Sequence, residues 1–202
     1  MAKPGKTNFF WPSYTDLMTS LFFIMLVLYV LSYAALRAQQ RATEEQLRKI
    51  TEIQKAVENL PQAYFVHQPQ YKRFVLNKQI QFDLGESEIK PQYHDYLRKV
   101  GTAVNDTINA LKTRFQNDSI KYLLVIEGMA SKVTFARNYE LSYERALALY
   151  RFWEKEGIVF DPNVCEVQIA GSGTGGIGRA SPDYLNQRFL IQIVPKIGVI
   201  KK

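Results

Sequence analysis

One long apolar stretch lies near the start of the chain. Residues Leu17 to Leu36 carry no charged side chain, and as a helix rising about 1.5 Å per residue they cover roughly the 30 Å of a bilayer core. The length of the stretch, and Asp16 just before it, favour a retained membrane anchor over a cleaved signal peptide. We therefore predict a short head at residues 1–12 and a transmembrane helix at residues 13–36.

The segment after this anchor has the composition of a helix. Residues 37–60 contain neither Gly nor Pro, and Pro61 ends the pattern, so we predict a helical linker at residues 37–61. Apolar residues follow a 3-4-3 spacing at Ile50, Ile53, Val57 and Leu60. This spacing fits two arrangements equally well, a short coiled coil between two chains or a helix packed on the domain that follows.

Strand and helix patterns alternate through the rest of the chain. Tyr71–Phe82 reads as two strands around a turn at Asn77-Lys78, and later segments follow the same alternation. The further predicted strands are 122–127, 164–170 and 189–194, and the predicted helices are 91–111 and 138–156. The helical stripe of the first helix comprises Tyr93, Leu97, Val100, Val104, Ile108 and Leu111. This order predicts a small α+β domain over residues 62–202.

Composition and motifs argue against several kinds of chemistry. The net charge of +7 is interleaved with acids along the chain, which indicates a solvated surface and no direct nucleic-acid partner. Cys165 is the only cysteine, so no intrachain disulfide forms, and two histidines suggest no metal cluster. Residues 171–176 fit the dinucleotide pattern G-x-G-x-x-G, but no βαβ unit follows, so we expect a loop. We predict no enzyme activity and no cofactor.

Asp16 is the one carboxylate at the edge of the apolar stretch. Placing a carboxylate inside a span costs roughly 2.5–3.5 kcal/mol at the helix centre and less near an end. Asp16 is therefore either an N-terminal capping acid or a group kept for function. Thr19 and Ser20 share its helical face, and their hydroxyls suit a water or a cation. An Asp that alternates between ionised and protonated forms can carry a proton, but one helix makes no path, so a multi-helix partner is implied.

The start of the span resembles a known family. Trp11–Met25 looks like the opening of the single span in B subunits of flagellar stators, the MotB family. The positions that match in spacing are Tyr14, Asp16, Met18 and Thr19. The resemblance implies that Asp16 conducts the ion, a proton or possibly sodium. It also implies that Tyr14, Thr19 and Ser20 support the ion path, in a homodimer surrounded by a pentameric MotA-like partner.

Three later segments resemble the OmpA-like, peptidoglycan-binding fold. They are Phe82–Pro91, Asn138–Ala146 with the pattern Asn-x-x-Leu-Ser-x-x-Arg-Ala, and Asn186–Phe189. The resemblance implies a mixed sheet with helices on one face. It also implies a peptidoglycan-binding role for Asn138, Leu141, Arg145 and Arg188.

One departure affects that expected site. Family members usually have Gly-His-Thr-Asp after the second strand, and the Asp contacts the diaminopimelate amine. Here the sequence is Gly128-Met-Ala-Ser131, without an acid. We therefore expect peptidoglycan binding to be weaker or to be made through different contacts. The alternative is a domain that keeps the fold for dimerisation.

The order of the parts is that of a stator B subunit. It implies a single-pass protein of the bacterial inner membrane, with a cytoplasmic N-terminus and residues 37–202 in the periplasm. Pro12–Phe23 and the short head look closest to B subunits of the Zorya anti-phage defence system (ZorB), whose partner would be ZorA-like. The alternatives are a flagellar or gliding-type stator subunit and a passive OmpA-like cell-wall tether without ion flow.

Overall fold

A computed structural model describes residues 10–58, 60–116, 120–132 and 136–196, with side chains from Tyr14 onward except that of Lys49. The predicted head at residues 1–12 lies largely outside the described residues. The chain divides into two compact units, with the boundary after Lys49. The two units are described separately.

The first unit is formed by helix α1, which spans Phe10–Val57 and continues into the second unit. Apolar side chains from Leu17 to Leu36 point outward along it, with most of them about half exposed. An 18-residue window of this helix has a mean hydropathy of 2.1 and none of it is buried. Among the described residues it is the one helix long and apolar enough to cross a bilayer. Its length and composition suit a single-pass membrane anchor.

The second unit contains the last turns of α1, five strands and two further α-helices within the described residues. The bounds are β1 Phe65–Gln68, β2 Arg73–Leu76, α2 His94–Arg114, β3 Lys121–Gly128, α3 Asn138–Lys155, β4 Cys165–Gly171 and β5 Phe189–Lys196. Short 3-10 helices lie at Pro69–Tyr71, Pro91–Tyr93 and Asp183–Asn186.

The five strands form one mixed sheet in the order β1-β2-β5-β3-β4. The β3–β4 pair is parallel and the other neighbours are antiparallel. Helix α3 connects β3 to β4, as a parallel pair requires a crossover. The predicted fold class, one apolar N-terminal helix followed by an α+β domain with a mixed sheet, is confirmed.

The main core lies between one face of the sheet and the helices. Tyr122, Leu124 and Ile126 alternate along β3 and are at most 1% exposed, because alternate strand residues point to the same face. The predicted apolar stripe of α2 is buried against them as expected. Gly128 allows α3 to approach closely, since a Cβ atom there would lie 2.1 Å from the backbone oxygen of Ser142.

The first hairpin lies earlier in the chain than predicted. β1 pairs with β2 through Phe65↔Leu76 and Gln68↔Arg73, and the turn between them is the 3-10 segment followed by Lys72 at φ 49. The prediction of strands over Tyr71–Phe82 with a turn at Asn77-Lys78 is therefore wrong. Residues 77–90 contain no strand. The Asn77 side chain instead donates a hydrogen bond to the Ala63 carbonyl.

Three of the four residues of the predicted apolar seam, at and just beyond the end of α1, belong to the core of the second unit. Ile53, Val57 and Leu60 are 0%, 5% and 3% exposed and join the main cluster. Of the two arrangements open for this spacing, the structure shows the helix packed on its own domain. These three side chains are consequently not free to form a coiled coil with a second chain.

Candidate ion and ligand sites

The structure places the predicted ion-path hydroxyls beside Asp16 on α1. Thr19 Oγ1 donates to the Thr15 carbonyl at 2.7 Å, and Ser20 Oγ donates to the Leu17 carbonyl at 2.9 Å. Both hydroxyl hydrogens are thus used within the helix, while the oxygen lone pairs stay available as acceptors. The Asp16 side chain is exposed on the isolated helix. This face can accept hydrogen bonds from water or coordinate a cation if another helix closes over it.

Tyr14, the other predicted ion-path residue, lies on a different side of α1. Residues two positions apart in a helix are separated by about 200° around the helix axis. Tyr14 therefore does not share the face of α1 that carries Asp16. Tyr14, Met18 and Phe22 line a shallow groove along the helix together with Thr19. Thr19 therefore adjoins both the groove and the Asp16 face.

The predicted wall-binding Arg145 lies on the inner face of α3 and is only 3% exposed. Its Nε donates to the Glu86 carbonyl at 3.0 Å, and its guanidinium carbon lies 4.4 Å from the centre of the Phe82 ring. Burial lowers the pKa of Arg145 to about 10. No salt bridge to a carboxylate is formed by Arg145 among the described residues. Within the described part of the chain, Arg145 is thus a buried cation held by a carbonyl and an aromatic face.

Asn138 and Leu141 lie on the same side of α3 as Arg145, because positions three, four and seven residues apart align along a helix. They are 8% and 5% exposed. Asn138 is the first residue of α3 and Leu141 follows one turn later. The structure therefore brings three of the four predicted wall-binding residues onto one helical face.

Arg188, the fourth predicted residue, lies on the opposite face of the sheet. Phe189 packs into the main core against Phe82, whereas Leu190 joins a separate cluster with Val75 and Met129. Arg188 directly precedes Phe189 and points to the Leu190 side, where its Nη2 donates to the Gly178 carbonyl at 2.6 Å. The structure does not bring Arg188 together with Arg145.

The segment that lacks the expected acid is well packed at Ser131, which is 7% exposed. Ser131 Oγ accepts a hydrogen bond from Gln187 Nε2 at 3.2 Å. The next backbone N–H, that of Lys132, donates to the carboxylate of Asp183. A carboxylate near this position therefore comes from the segment before β5. Residues 133–135 lie outside the described part of the chain.

The glycine-rich stretch after β4 is a loop, as predicted, with no helix from residue 172 to 182. Gly173 has φ +55, and a Cβ atom there would lie 2.6 Å from the Tyr139 ring. Both constraints explain a glycine at this position. The described residues contain no group of three or more His, Cys, Asp or Glu side chains placed to hold a metal.

Several residues of these sites were not predicted from the sequence. Phe82 and the Glu86 carbonyl contact Arg145 across 59 or more positions, and Arg73 and Arg179 lie beside Arg188. The only signal for the first pair was the Phe82–Pro91 motif, which indicated a strand-to-helix connection but no contact to Arg145.

The described residues thus form one apolar N-terminal helix and an α+β domain built on a mixed sheet. A scan against protein-family models finds no match, and a search of curated proteins finds none. Solved structures of OmpA-like and MotB-like domains are similar to part of this chain. A putative MotB-like protein from Desulfovibrio vulgaris is 16% identical, with a TM-score of 0.39, and the match covers 77% of this chain and 93% of that one.

The periplasmic domain of MotB from Helicobacter pylori is 13% identical, with a TM-score of 0.42, and the match covers 67% of this chain and 88% of that one. The peptidoglycan-associated lipoprotein from Burkholderia pseudomallei is 15% identical, with a TM-score of 0.35, and the match covers 59% and 91% of the two chains. At these identities and scores, the similarity does not by itself define a function.

Proposed function

We propose that this chain is the wall-anchored, ion-carrying B subunit of a membrane motor. The wall-binding half of the proposal rests on the environment of Arg145. A guanidinium that is 3% exposed and has no carboxylate partner among the described residues is an unfavourable arrangement unless an anion completes it. A carboxylate of a peptidoglycan stem peptide fits the fork of an Arg side chain. Asn138 lies on the same helical face as Arg145.

Wall binding is tested by pelleting the full chain with purified peptidoglycan sacculi. Arg145→Gln removes a charge-assisted contact worth about 1.5–3 kcal/mol, so binding should weaken by about 10- to 150-fold. Arg151→Gln, an exposed arginine on the same helix, is the matched control and should bind normally. Thermal unfolding of both variants establishes that they are folded.

Two results would contradict the wall-binding proposal. The first is a folded Arg145→Gln protein that pellets as well as the parent. The second is a parent chain that does not pellet with sacculi under conditions in which a known wall-binding protein does. Arg145→Lys keeps the charge without the fork and should give intermediate binding.

The ion-carrying half of the proposal is supported by Asp16 and by the motif around it. Asp16 carries the only carboxylate along the apolar part of α1, and two hydroxyls that can accept hydrogen bonds lie one turn after it. In the proposed assembly, two copies of this chain place their Asp16 residues against a pentameric, multi-span MotA-like partner. The transported ion would be a proton, with sodium as the alternative. The N-terminus would lie in the cytoplasm and the α+β domain in the periplasm, with the anchor in the inner membrane.

We further propose that the motor belongs to the Zorya type of anti-phage defence, with a ZorA-like partner. The support is the run Pro12–Phe23, which resembles that branch of B subunits. Plaque counts on cells that carry the chain with its neighbouring genes test this assignment. We expect the parent chain to protect the cells from phage and the Asp16→Asn variant to lose this protection. If Asp16→Asn instead abolishes swimming or gliding and leaves the plaque counts unchanged, the chain belongs to a flagellar or gliding motor.

A further inference from the structure

Three arginines converge on the face of the sheet opposite α2 and α3. Arg73 lies on β2, while Arg179 and Arg188 lie in the segment between β4 and β5. Arg73 Nη2 donates to the Ile177 carbonyl at 2.7 Å, and Arg188 Nη2 donates to the next carbonyl, that of Gly178, at 2.6 Å. The two guanidinium groups therefore meet at consecutive residues of one loop. We call Arg73, Arg179 and Arg188 the outer-face arginines.

Positive charge is in excess within this group. Desolvation, followed by the charges of Arg73 and Arg179, lowers the pKa of Arg188, and Glu127 opposes that shift. Among the described residues, the one ion pair between this group and a carboxylate joins Arg179 to Asp183 at 2.9 Å. Glu127 is the second nearby carboxylate. Three cations thus face two carboxylates, at positions that are partly or fully buried.

Two donors of the outer-face arginines have no acceptor in the part of the chain that the structure describes. The Nε atoms of Arg179 and Arg188 are buried and form no hydrogen bond with the described residues. A buried donor without a partner is unfavourable, and more so on a charged group. Apart from the Arg179 contact with Asp183, the other hydrogen bonds of these guanidinium groups go to neutral oxygens. The acceptors are the backbone carbonyls of Gly175, Ala130, Ile177 and Gly178 and the side-chain amide oxygen of Gln68. The arrangement lacks negative charge and acceptor atoms at the same place.

We propose that the outer-face arginines form an anion-binding site that takes a phosphate group. A phosphate supplies several acceptor oxygens and more than one negative charge, and Arg forks match its geometry in bidentate fashion. Access is through the loop, where Gly176 and Ile177 are exposed and Gly178 is half-buried. This site is separate from the proposed wall-binding site, because Arg145 lies on the other face of the sheet.

The test is the thermal unfolding of the full chain in a zwitterionic detergent, in inorganic phosphate or in potassium chloride at equal ionic strength. Phosphate at ten times its dissociation constant should raise the midpoint by about 3–6 °C, in a saturable way. Glycerophosphoglycerol, a soluble lipid headgroup, is the second probe. A larger rise with inorganic phosphate assigns a soluble ligand, and a larger rise with the headgroup assigns a phospholipid. Equal midpoints in phosphate, headgroup and chloride would overturn the proposal.

Substitutions distinguish anion binding by the arginines from a purely structural role in holding the loop. Arg179→Gln and Arg188→Gln should lose the phosphate-dependent rise, whereas Arg98→Gln, which removes an exposed ion pair with Glu156, should keep it. If the first two variants merely lower the midpoint in chloride and keep the full rise with phosphate, the arginines only hold the loop and the proposal is wrong.

Glu127→Gln covers the case in which the arginine variants do not fold. It removes the carboxylate that attracts Arg73 and Arg188 without removing a guanidinium. Phosphate should then bind at least several-fold more tightly than to the parent chain. An unchanged or weaker phosphate response in Glu127→Gln would contradict the site.

Discussion

A methyl group added at Gly101 should destabilise the domain by way of Trp153. Gly101 lies on α2 and is buried against α3, where a Cβ atom would lie 2.6 Å from Trp153 Nε1 and 2.7 Å from Cδ1. Trp153 is fully buried, and its Nε1 donates to the Leu97 carbonyl at 2.8 Å. The indole therefore has to move if Ala is to fit, and its movement breaks that hydrogen bond.

The expected size follows from three contributions. Overpacking a core costs about 1–3 kcal/mol, and leaving a buried donor without a partner costs about 1–3 kcal/mol. Replacing Gly by Ala within a helix gains about 0.8–1.0 kcal/mol. We therefore expect Gly101→Ala to lower the free energy of unfolding by about 1–5 kcal/mol.

The assay is urea unfolding of the full chain, followed by tryptophan fluorescence in a Trp11→Phe background, since Trp11 and Trp153 are the only tryptophans. Thr102→Ala, at the adjacent exposed position of α2, is the matched control and should change stability by no more than about 0.5 kcal/mol. A Gly101→Ala protein as stable as the parent would refute the packing of α2 against Trp153.

Two further predictions concern the end of α1 and the single cysteine. Ile53→Ala should lower the free energy of unfolding by about 2–5 kcal/mol, because Ile53 is fully buried in the domain core. The control is Leu47→Ala, at an exposed position of the same helix, which should have little effect. Equal effects of the two substitutions would show that α1 does not pack as described. Burial raises the pKa of the Cys165 thiol to about 11, so iodoacetamide at pH 8 should modify it only in urea, and rapid labelling of the folded protein would contradict this burial.

The sequence was most informative where one local pattern determines the structure. The stripe from Tyr93 to Leu111 repeats at the helical period, and all its members are buried. The strand at β3 was equally clear, because Leu123 to Ile126 are four consecutive apolar residues. Leu124 and Ile126 are fully buried, and the two residues that alternate with them are half-buried. In both segments the local preference agrees with the tertiary packing.

The hairpin was misplaced because its turn ends on a lysine in the left-handed conformation, which non-glycine residues seldom adopt. Asn77-Lys78 resembles a turn, whereas the actual turn uses Pro69 and a left-handed Lys72. Ile80 and Phe82 alternate as in a strand and are buried in the core, yet their segment has no strand pairing. The apolar pattern therefore reported burial correctly and hydrogen bonding incorrectly.

The sites depend on contacts that sequence patterns cannot show. Arg145 was predicted from its motif, but the Phe82 ring and the Glu86 carbonyl come from a distant segment. Arg188 was grouped with Arg145 by the same resemblance, and only strand alternation in the sheet separates the two. Arg73 and Arg179 join Arg188 through a loop whose path no local periodicity specifies.

The central claim, an ion carried by Asp16, is most directly tested by proton flux. The chain is reconstituted in liposomes with the multi-span subunit that co-purifies with it, and the internal pH is followed after a potassium-driven voltage is applied. The parent should take up protons, Asp16→Asn should assemble with the partner but show no flux, and Asp16→Glu should retain part of it. Flux through Asp16→Asn equal to that of the parent would contradict the account.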